Sequence, residues 1–410
     1  MEQKSKVKVA FITTGIYGGG AERNIINLAI KFHQSEVESE IISLKTINDF
    51  KTEYGEELKK ITTIYILKDQ SKINRLTLPF KAIKLLIKLF FIISKKKYKV
   101  LIAAEEFTFL ITTLFAKLFF IKSILIVGNN IEKEVDRLFF LRKMFSLLIF
   151  KISFFLADKL ICVSKGLELM LKKFFPLAKN KIELIYNGLD ILKIKKMSKK
   201  PLPDSYKPLF KYPIIITVGR LVQKKGFDDL IEAFKIIKKT NNNLKLFIIG
   251  KGPEKINLIK QAHKLGLKNY IIFHDSEKKN IYRFIKRAKI FVFSSLYEGF
   301  GNVIVEAMAC GLPVVSTDCD YGPREILCNK INYPLKPIKK VFYANYGVLV
   351  PDKTKNKQNC KEIASAIINL IKNKQKMIFY RKKSLLRANK FTLDKMANQY
   401  KKVILSFKND

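Results

Sequence analysis

Two glutamates eight residues apart stand in SSLYEGFGNVIVEAMACGLPVV, residues 294–315. Glu298 precedes Gly299, Phe300 and Gly301, and Glu306 falls inside the apolar run that begins after Asn302. An ionised carboxylate accepts hydrogen bonds on both oxygens, which suits the paired hydroxyls of a sugar. Upstream, in TVGRLVQKKGFDDLIEAF (217–234), Arg220 follows an apolar run and Lys225 precedes Gly226. Arginine offers a planar fork and lysine a point charge, a combination that suits a diphosphate. Taken singly, each of these is an ordinary surface charge or helix cap. Taken together, carboxylates for hydroxyls beside cations for phosphates describe a site for a nucleotide sugar.

The elements that must position these groups are legible as short apolar runs between helical periods. VKVAFITTG, EIISLK, TIYIL, VLIAA, ILIVG, KLICVS and IELIYNG read as strands of a first half. PIIITVG, KLFIIG, YIIFH, IFVFSS and PVVSTD restart the pattern after KIKKMSKKPLPDSYKP (193–208), which reads as a linker. Buried runs alternating with helices predict parallel strands with crossover helices, hence two doubly wound α/β domains facing each other across a cleft. Arg220, Lys225 and Glu298 then fall just past strand ends, the edge at which open α/β sheets bind ligands. The run from Val303 reads as a helix whose first amides favour an anion by about 0.3–1 kcal/mol, with Glu306 near its second turn. In TTGIYGGGAERN (13–24), Gly18, Gly19 and Gly20 separate a strand from a helix, which suits a phosphate or sugar loop. That run is neither GxGxxG nor a Walker loop, so nicotinamide and P-loop chemistry fit poorly. The last segment reads as helical from about 361 to 408.

The chain of 410 residues carries 78 Lys and Arg against 35 Asp and Glu, a formal charge of +43 that favours polyanions. Much of that charge is what an AT-rich coding sequence would place by codon usage, so its distribution matters more than its total. From Ser71 to Val100 there are nine Lys or Arg and no acid, and LPFKAIKLLIKLFFIISKKKYK (78–99) interleaves lysine with Leu, Ile and Phe. RLFFLRKMFSLLIFKISFFL (137–156) is similar. Such stretches suit either helices burying one face in a domain or elements lying on an anionic membrane, where each lysine contributes about 1 kcal/mol. Cys162, Cys310, Cys319, Cys328 and Cys360 show neither CxxC nor Cys/His spacing, so reduced thiols are expected, with no metal site. The first apolar run is too short for a signal peptide, and no uncharged apolar stretch reaches the length of a spanning helix; a cytoplasmic protein is expected.

The run EGFGNVIVEAMACGLPVVSTD, with GRLVQKKGFDDLIEAF and GGGAERN, resembles the retaining glycosyltransferases of family 4, built from two Rossmann-like domains in the GT-B arrangement. DCDYGPREIL (318–327) further resembles members that use UDP-sugars to build bacterial surface or lipid-linked oligosaccharides. The resemblance implies an acceptor domain over 1–197, a nucleotide-sugar domain over 198–385, and a C-terminal helix over 386–410 that packs back on the first domain. It implies that Glu298 and the amides of Gly299, Phe300, Gly301 and Asn302 meet the donor sugar, and that Glu306 holds the ribose. Arg220 and Lys225 would neutralise the diphosphate without a metal or other cofactor, and Gly19 and Gly20 would line the phosphate side. His274 and Asp275 would lie by the base. Many members carry a histidine after the strand read as ILIVG; here Gly128, Asn129 and Asn130 follow it, and Asn130 can donate a hydrogen bond but is no base. The implied partners are a UDP-sugar, a lipid-linked or membrane glycan acceptor and the anionic inner leaflet. An epimerase of similar fold would lack the paired glutamates, and a nucleic-acid-binding protein, suggested by charge alone, would show a zinc or RNP-like module.

Overall fold

Runs of β-branched and aromatic residues become buried parallel strands, and the amphipathic runs between them become the crossover helices. The computed structural model describes residues 6–15, 19–33, 35–45, 58, 60–67, 78–137, 139–275, 280–333, 336–352 and 359–407. The chain divides into two units, Met1–Gly188 with Leu393–Asp410, and Leu189–Thr392.

The first unit holds β1 (Val7–Thr13), β2 (Val37–Lys45), β3 (Thr63–Leu67), β4 (Val100–Ala103), β5 (Lys122–Val127), β6 (Lys159–Cys162) and β7 (Ile182–Leu184). They form a seven-stranded parallel sheet in the order β3-β2-β1-β4-β5-β6-β7, reversing direction of growth between β1 and β4. Register places Ala10 of β1 between Glu40 of β2 and Leu101 of β4. Ala10, Ile12, Leu101 and Ile93 pack into one apolar cluster on this sheet. Glu40 is buried yet answered on three sides, by Lys8 Nζ at 2.9 Å, Lys96 Nζ at 3.2 Å and the Tyr98 hydroxyl. Burial pushes its pKa up, but these three donors outweigh burial and hold the carboxyl below its ordinary value.

The second unit holds β8 (Ile214–Val218), β9 (Lys245–Ile249), β10 (Ile271–His274), β11 (Ile290–Phe293), β12 (Val314–Thr317), β13 (Phe342–Tyr343) and β14 (Val348–Val350). Their order is β10-β9-β8-β11-β12-β14-β13, parallel except for the last pair, with the reversal between β8 and β11. Helix Phe227–Thr240 buries Leu230, Ile231, Phe234 and Ile237 against this sheet and helix Asn359–Lys372. Each such side chain contributes about 1.5–3 kcal/mol on removal from water.

Two boundaries differ from the sequence reading, for local causes. The boundary lies at Gly188–Leu189, not 197–198, because helix Ile191–Ser198 packs on helices Tyr282–Arg287 and Asn302–Ala309 of the second unit. Asn280 Nδ2 also donates to the Met197 carbonyl at 2.8 Å. The C-terminal boundary is at Thr392–Leu393 instead of 385–386: Arg387 donates from Nε to the Ile326 carbonyl and from Nη2 to those of Glu325 and Cys328, tying helix Lys374–Ala388 to the second unit. The segment read as helical from about 361 to 408 is helical, in three pieces, Asn359–Lys372, Lys374–Ala388 and Leu393–Ser406; Asn373 caps the second by accepting from the Lys376 amide at 2.8 Å. Only the last of the three joins the first unit, where Asp394 pairs with Lys31 at 2.6 Å.

Candidate functional site

In the second unit the loops after β8 and β11 flank the point where strand order reverses, the place at which a doubly wound sheet opens a crevice. After β8 come Gly219, Arg220 and a short 3-10 turn, Gln223–Lys225. Gly226 ends that turn at φ +60° and opens the next helix; a Cβ there would sit 2.2 Å from the Ser294 carbonyl oxygen. That close approach carries Lys225 to the end of β11. The Ser294 hydroxyl locks it by donating to the Lys225 carbonyl at 2.8 Å, and the Leu296 amide donates to the Lys224 carbonyl at 2.8 Å.

The consequence is an ion pair between Lys225 Nζ and Glu298 Oε1, residues 73 apart in sequence. The Ser295 hydroxyl donates to the same carboxylate oxygen at 2.9 Å, and the Lys225 ammonium lies 5.6 Å from the centre of the Phe293 ring. Both charged side chains are mostly covered, at 19% and 15% exposure, so the pair is screened less than a surface bridge would be. Lys225, read from sequence as a cation for a ligand's phosphate, is thus already answered by the carboxylate read as a sugar ligand. Arg220 differs. It is exposed and has no ion-pair partner among the described residues.

Beyond Glu298, Gly299 and Phe300 are buried, and the Phe300 ring packs on Phe391 with centroids 5.4 Å apart. Gly301 turns the chain at φ +96° into helix Asn302–Ala309. The first amides of a helix lack intrahelical carbonyl partners and present partial positive charge. Glu306 on this helix is 3% exposed and accepts from the Tyr282 hydroxyl at 3.5 Å. Burial, then the nearby Glu306 carboxylate, pushes the Cys310 thiol up to about 12.

His274 and Asp275 stand apart from this cluster, at the end of β10 on the sheet edge. The His274 ring stacks on Phe247, meets Phe284, and shares a 2.7 Å hydrogen bond through Nδ1 with the Tyr206 hydroxyl. Asp275 is paired with Lys255 at 2.7 Å. Gly19, Gly20 and Asn130 belong to the first unit. Gly20 opens helix Gly20–His33, while Gly18 and the basic residues 71–77 lie outside the described residues. Asn130 uses Oδ1 to cap helix Ile131–Val135, accepting from the Lys133 amide at 3.2 Å. His33 and His263 are exposed on helices. Among the described residues no group of three or more His, Cys, Asp or Glu is placed to hold a metal ion.

Two features escaped the sequence reading. At the first unit's own reversal point, Glu105 after β4 is gripped by the hydroxyls of Thr13 and Thr14 and by the Thr14 amide at 2.9 Å. In a chain of this charge it has no cation partner among the described residues. The usable signal was the Thr-Thr pair at the end of the first strand. In the second unit the buried Asp318 takes a two-pronged contact from Arg324, whose Nε donates at 2.7 Å. That clasp spans Asp320, whose carbonyl accepts from the Glu298 amide at 3.4 Å.

A family model for glycosyl transferases group 1 matches residues 201–383, and one for glycosyltransferase family 4 matches residues 18–192. An uncharacterised glycosyltransferase of Methanocaldococcus jannaschii is 32% identical over 361 residues, 83% of this chain and 87% of its own. The N-acetylgalactosamine-N,N'-diacetylbacillosaminyl-diphospho-undecaprenol 4-alpha-N-acetylgalactosaminyltransferase of Campylobacter jejuni is 32% identical over 204 residues, 50% of each chain. Among solved structures, Anabaena HepE in complex with UDP and glucose superposes with a TM-score of 0.74 at 19% identity, over 98% of this chain and 100% of its own. Sucrose-phosphate synthase of Thermosynechococcus elongatus gives 0.76 at 18% identity, over 98% and 100%. These likenesses to solved structures are likenesses of fold. The two models lie one in each half of the chain, a relative matches along most of its length, and the chain therefore belongs to glycosyltransferase family 4.

Proposed function

We propose that the protein transfers a hexose or N-acetylhexosamine from a UDP-sugar, with retained configuration, to a lipid-linked or otherwise membrane-associated glycan acceptor in the assembly of a bacterial surface polysaccharide or glycoprotein glycan. The observation that carries this reading is the contact of Lys225, Glu298 and Ser295 at the β8/β11 reversal point, beside exposed Arg220. Arriving diphosphate draws Lys225 away from Glu298 and meets Arg220, and the released carboxylate takes hydroxyls of the donor sugar. As the bond from the anomeric carbon to the diphosphate breaks, both cations face the growing negative charge, an electrostatic role that needs no metal. The acceptor hydroxyl oxygen bonds to the same face of that carbon, its proton passes to the departing diphosphate oxygen, and UDP leaves.

In this reading Glu306 holds the ribose, the backbone from Gly299 to Asn302 lies against the sugar, and His274 with Asp275 borders the base. Gly19 and Gly20 line the phosphate side, and Asn130 stands on the acceptor side without serving as a base. The UDP and glucose bound by Anabaena HepE support the donor class, and the diphospho-undecaprenol in the name of the Campylobacter relative supports a lipid-linked acceptor. Such an acceptor places the enzyme at the cytoplasmic face of the inner membrane. The test is a reaction of purified protein with UDP-glucose, UDP-galactose and their N-acetylamino counterparts, with polyprenyl-diphosphate-linked glycans and a chelator present. Proton NMR is expected to show UDP release and an α-linked product from the α-linked donor. A β-linked product, or a strict need for a divalent ion, would contradict the mechanism.

A further inference from the structure

We propose that the outer face of three consecutive crossover helices of the first unit, Leu78–Lys96, Glu106–Leu118 and Phe140–Leu156, docks on the surface of an anionic lipid bilayer. The β3-to-β4, β4-to-β5 and β5-to-β6 crossovers all run in one direction across the sheet, and right-handed connections put their helices side by side on one face. Ring contacts join them: Phe90 meets Phe119 at 5.1 Å, and Phe109 meets Phe150 at 6.5 Å.

Each helix buries one apolar side on the sheet, as an ordinary crossover helix does, and then presents a second apolar side outward. Helix Phe140–Leu156 buries Phe150 and Phe154, yet Leu141, Met144, Phe145, Leu148, Ile152 and Phe155 form an exposed stripe at helical spacing. On helix Leu78–Lys96, Leu89 and Ile93 face inward while Ile83, Ile87 and Phe91 face out. Between them Phe120, just past helix Glu106–Leu118, is 98% exposed, and Phe139 is 86% exposed. A patch of this breadth marks an interaction surface.

The charges choose the occupant. Helices Leu78–Lys96 and Phe140–Leu156 contain no Asp or Glu and helix Glu106–Leu118 has Glu106 alone, at its first residue; Lys84, Lys88, Arg142 and Lys151 are exposed among the apolar residues, as is Lys117, which also pairs with Asp158 at 3.4 Å. A second copy of the chain would bring these cations against themselves across a self-complementary interface. An anionic bilayer answers both features, taking phenylalanine into the acyl boundary and lysine onto the headgroups. Among the described residues no helix is long and apolar enough to cross a membrane, so the contact is one of surface insertion. The proposal rests on the reading above only for its purpose, delivery of the first unit to a membrane-borne acceptor.

The experiment is flotation of the full chain with phosphatidylcholine vesicles, with and without phosphatidylglycerol, beside a Phe145→Glu/Leu148→Glu variant. Wild type is expected to float with the anionic vesicles, at least about tenfold less with neutral ones, and less again at high salt. The variant, whose changes lie on exposed positions, is expected to keep its melting temperature and lose vesicle binding by about tenfold or more. Absence of flotation, equal binding to neutral vesicles, or an unaffected variant would overturn the proposal. So would a wild-type dimer that the double variant converts to monomer, since the face would then belong to a second copy. UDP affinity is measured on the same samples: flotation without UDP binding sinks the transferase reading alone, and UDP binding without flotation sinks this one alone.

Discussion

At the β1/β4 reversal of the first unit a carboxylate, Glu105, is gripped by threonine hydroxyls; at the β8/β11 reversal of the second, Glu298 is gripped by an ammonium and a serine hydroxyl. Two sheets that share the order of their first five strands thus put an acid after the fourth strand of each and give it different partners. Around Glu105 the partners are neutral, two hydroxyls and an amide, whereas Glu298 is paired directly with the Lys225 ammonium. The helix layers differ as well. In the second unit, helix Phe227–Thr240 turns Leu230, Ile231, Phe234 and Ile237 inward and Lys235 and Lys239 outward, with Lys238 buried, while helix Phe140–Leu156 of the first unit also exposes an apolar stripe.

Substitutions can break or sharpen this contrast. Phe234→Ala, in the second unit's core, is expected to cost about 3–5 kcal/mol in urea unfolding, whereas Phe145→Ala on the first unit's exposed stripe stays within about 0.5 kcal/mol. Equal costs would mean that the stripe is not exposed. Glu298→Ala is expected to lower turnover by about 10²–10³-fold with little change in UDP affinity, and Glu306→Ala to weaken UDP binding instead. The same loss of binding in both would erase the division of roles. Arg220→Ala, which breaks no ion pair among the described residues, should leave the melting temperature alone and weaken UDP by about 1.5–3 kcal/mol, read by calorimetry.

A smaller effect separates the units by pH. Glu40 in the first unit is buried, but Tyr98, Lys8 and Lys96 hold its pKa below the unfolded value. A depressed carboxyl contributes stability that is present above the unfolded pKa, about 4.3, and is lost as pH falls through the folded one. Glu40→Gln should therefore lower stability at neutral pH and flatten its decline below about pH 4.3; an unchanged acid limb would contradict the assignment. The smallest effect concerns thiols. Burial raises Cys310 to about 12 and also raises Cys319, while Cys360 is only partly covered, so Cys360 should react first with a thiol reagent and Cys310 only on unfolding.

Twelve of the strands announce themselves as apolar runs, because a parallel strand covered on both faces needs β-branched residues at nearly every position. β13, at two residues, is too short to show such a pattern, and the three residues of β14 were not read as a strand. The helical break at Asn373 was written as a capping asparagine, a signal weaker than the apolar period running through it. Arg220, Lys225 and Glu298 were legible by type, since cations after one strand and an acid after another suit a nucleotide sugar. Their pairing was not, because it depends on the left-handed Gly226 bringing two distant loops within reach. Glu105 hid for the same reason: the Thr13 and Thr14 hydroxyls that define it arrive from another strand.

The proposed function requires a site for a uridine diphosphate sugar in the second unit. Thermal unfolding of the purified chain with UDP, GDP, ADP and UDP-sugars, in chelator, tests it most directly. A ligand at about one hundred times its dissociation constant adds about 2.7 kcal/mol, a rise of several degrees for units of this size. That rise is expected for uridine nucleotides, and its loss in Arg220→Ala. No rise with any nucleotide, beside a large one with an oligonucleotide, would contradict it and make the net charge the feature to explain.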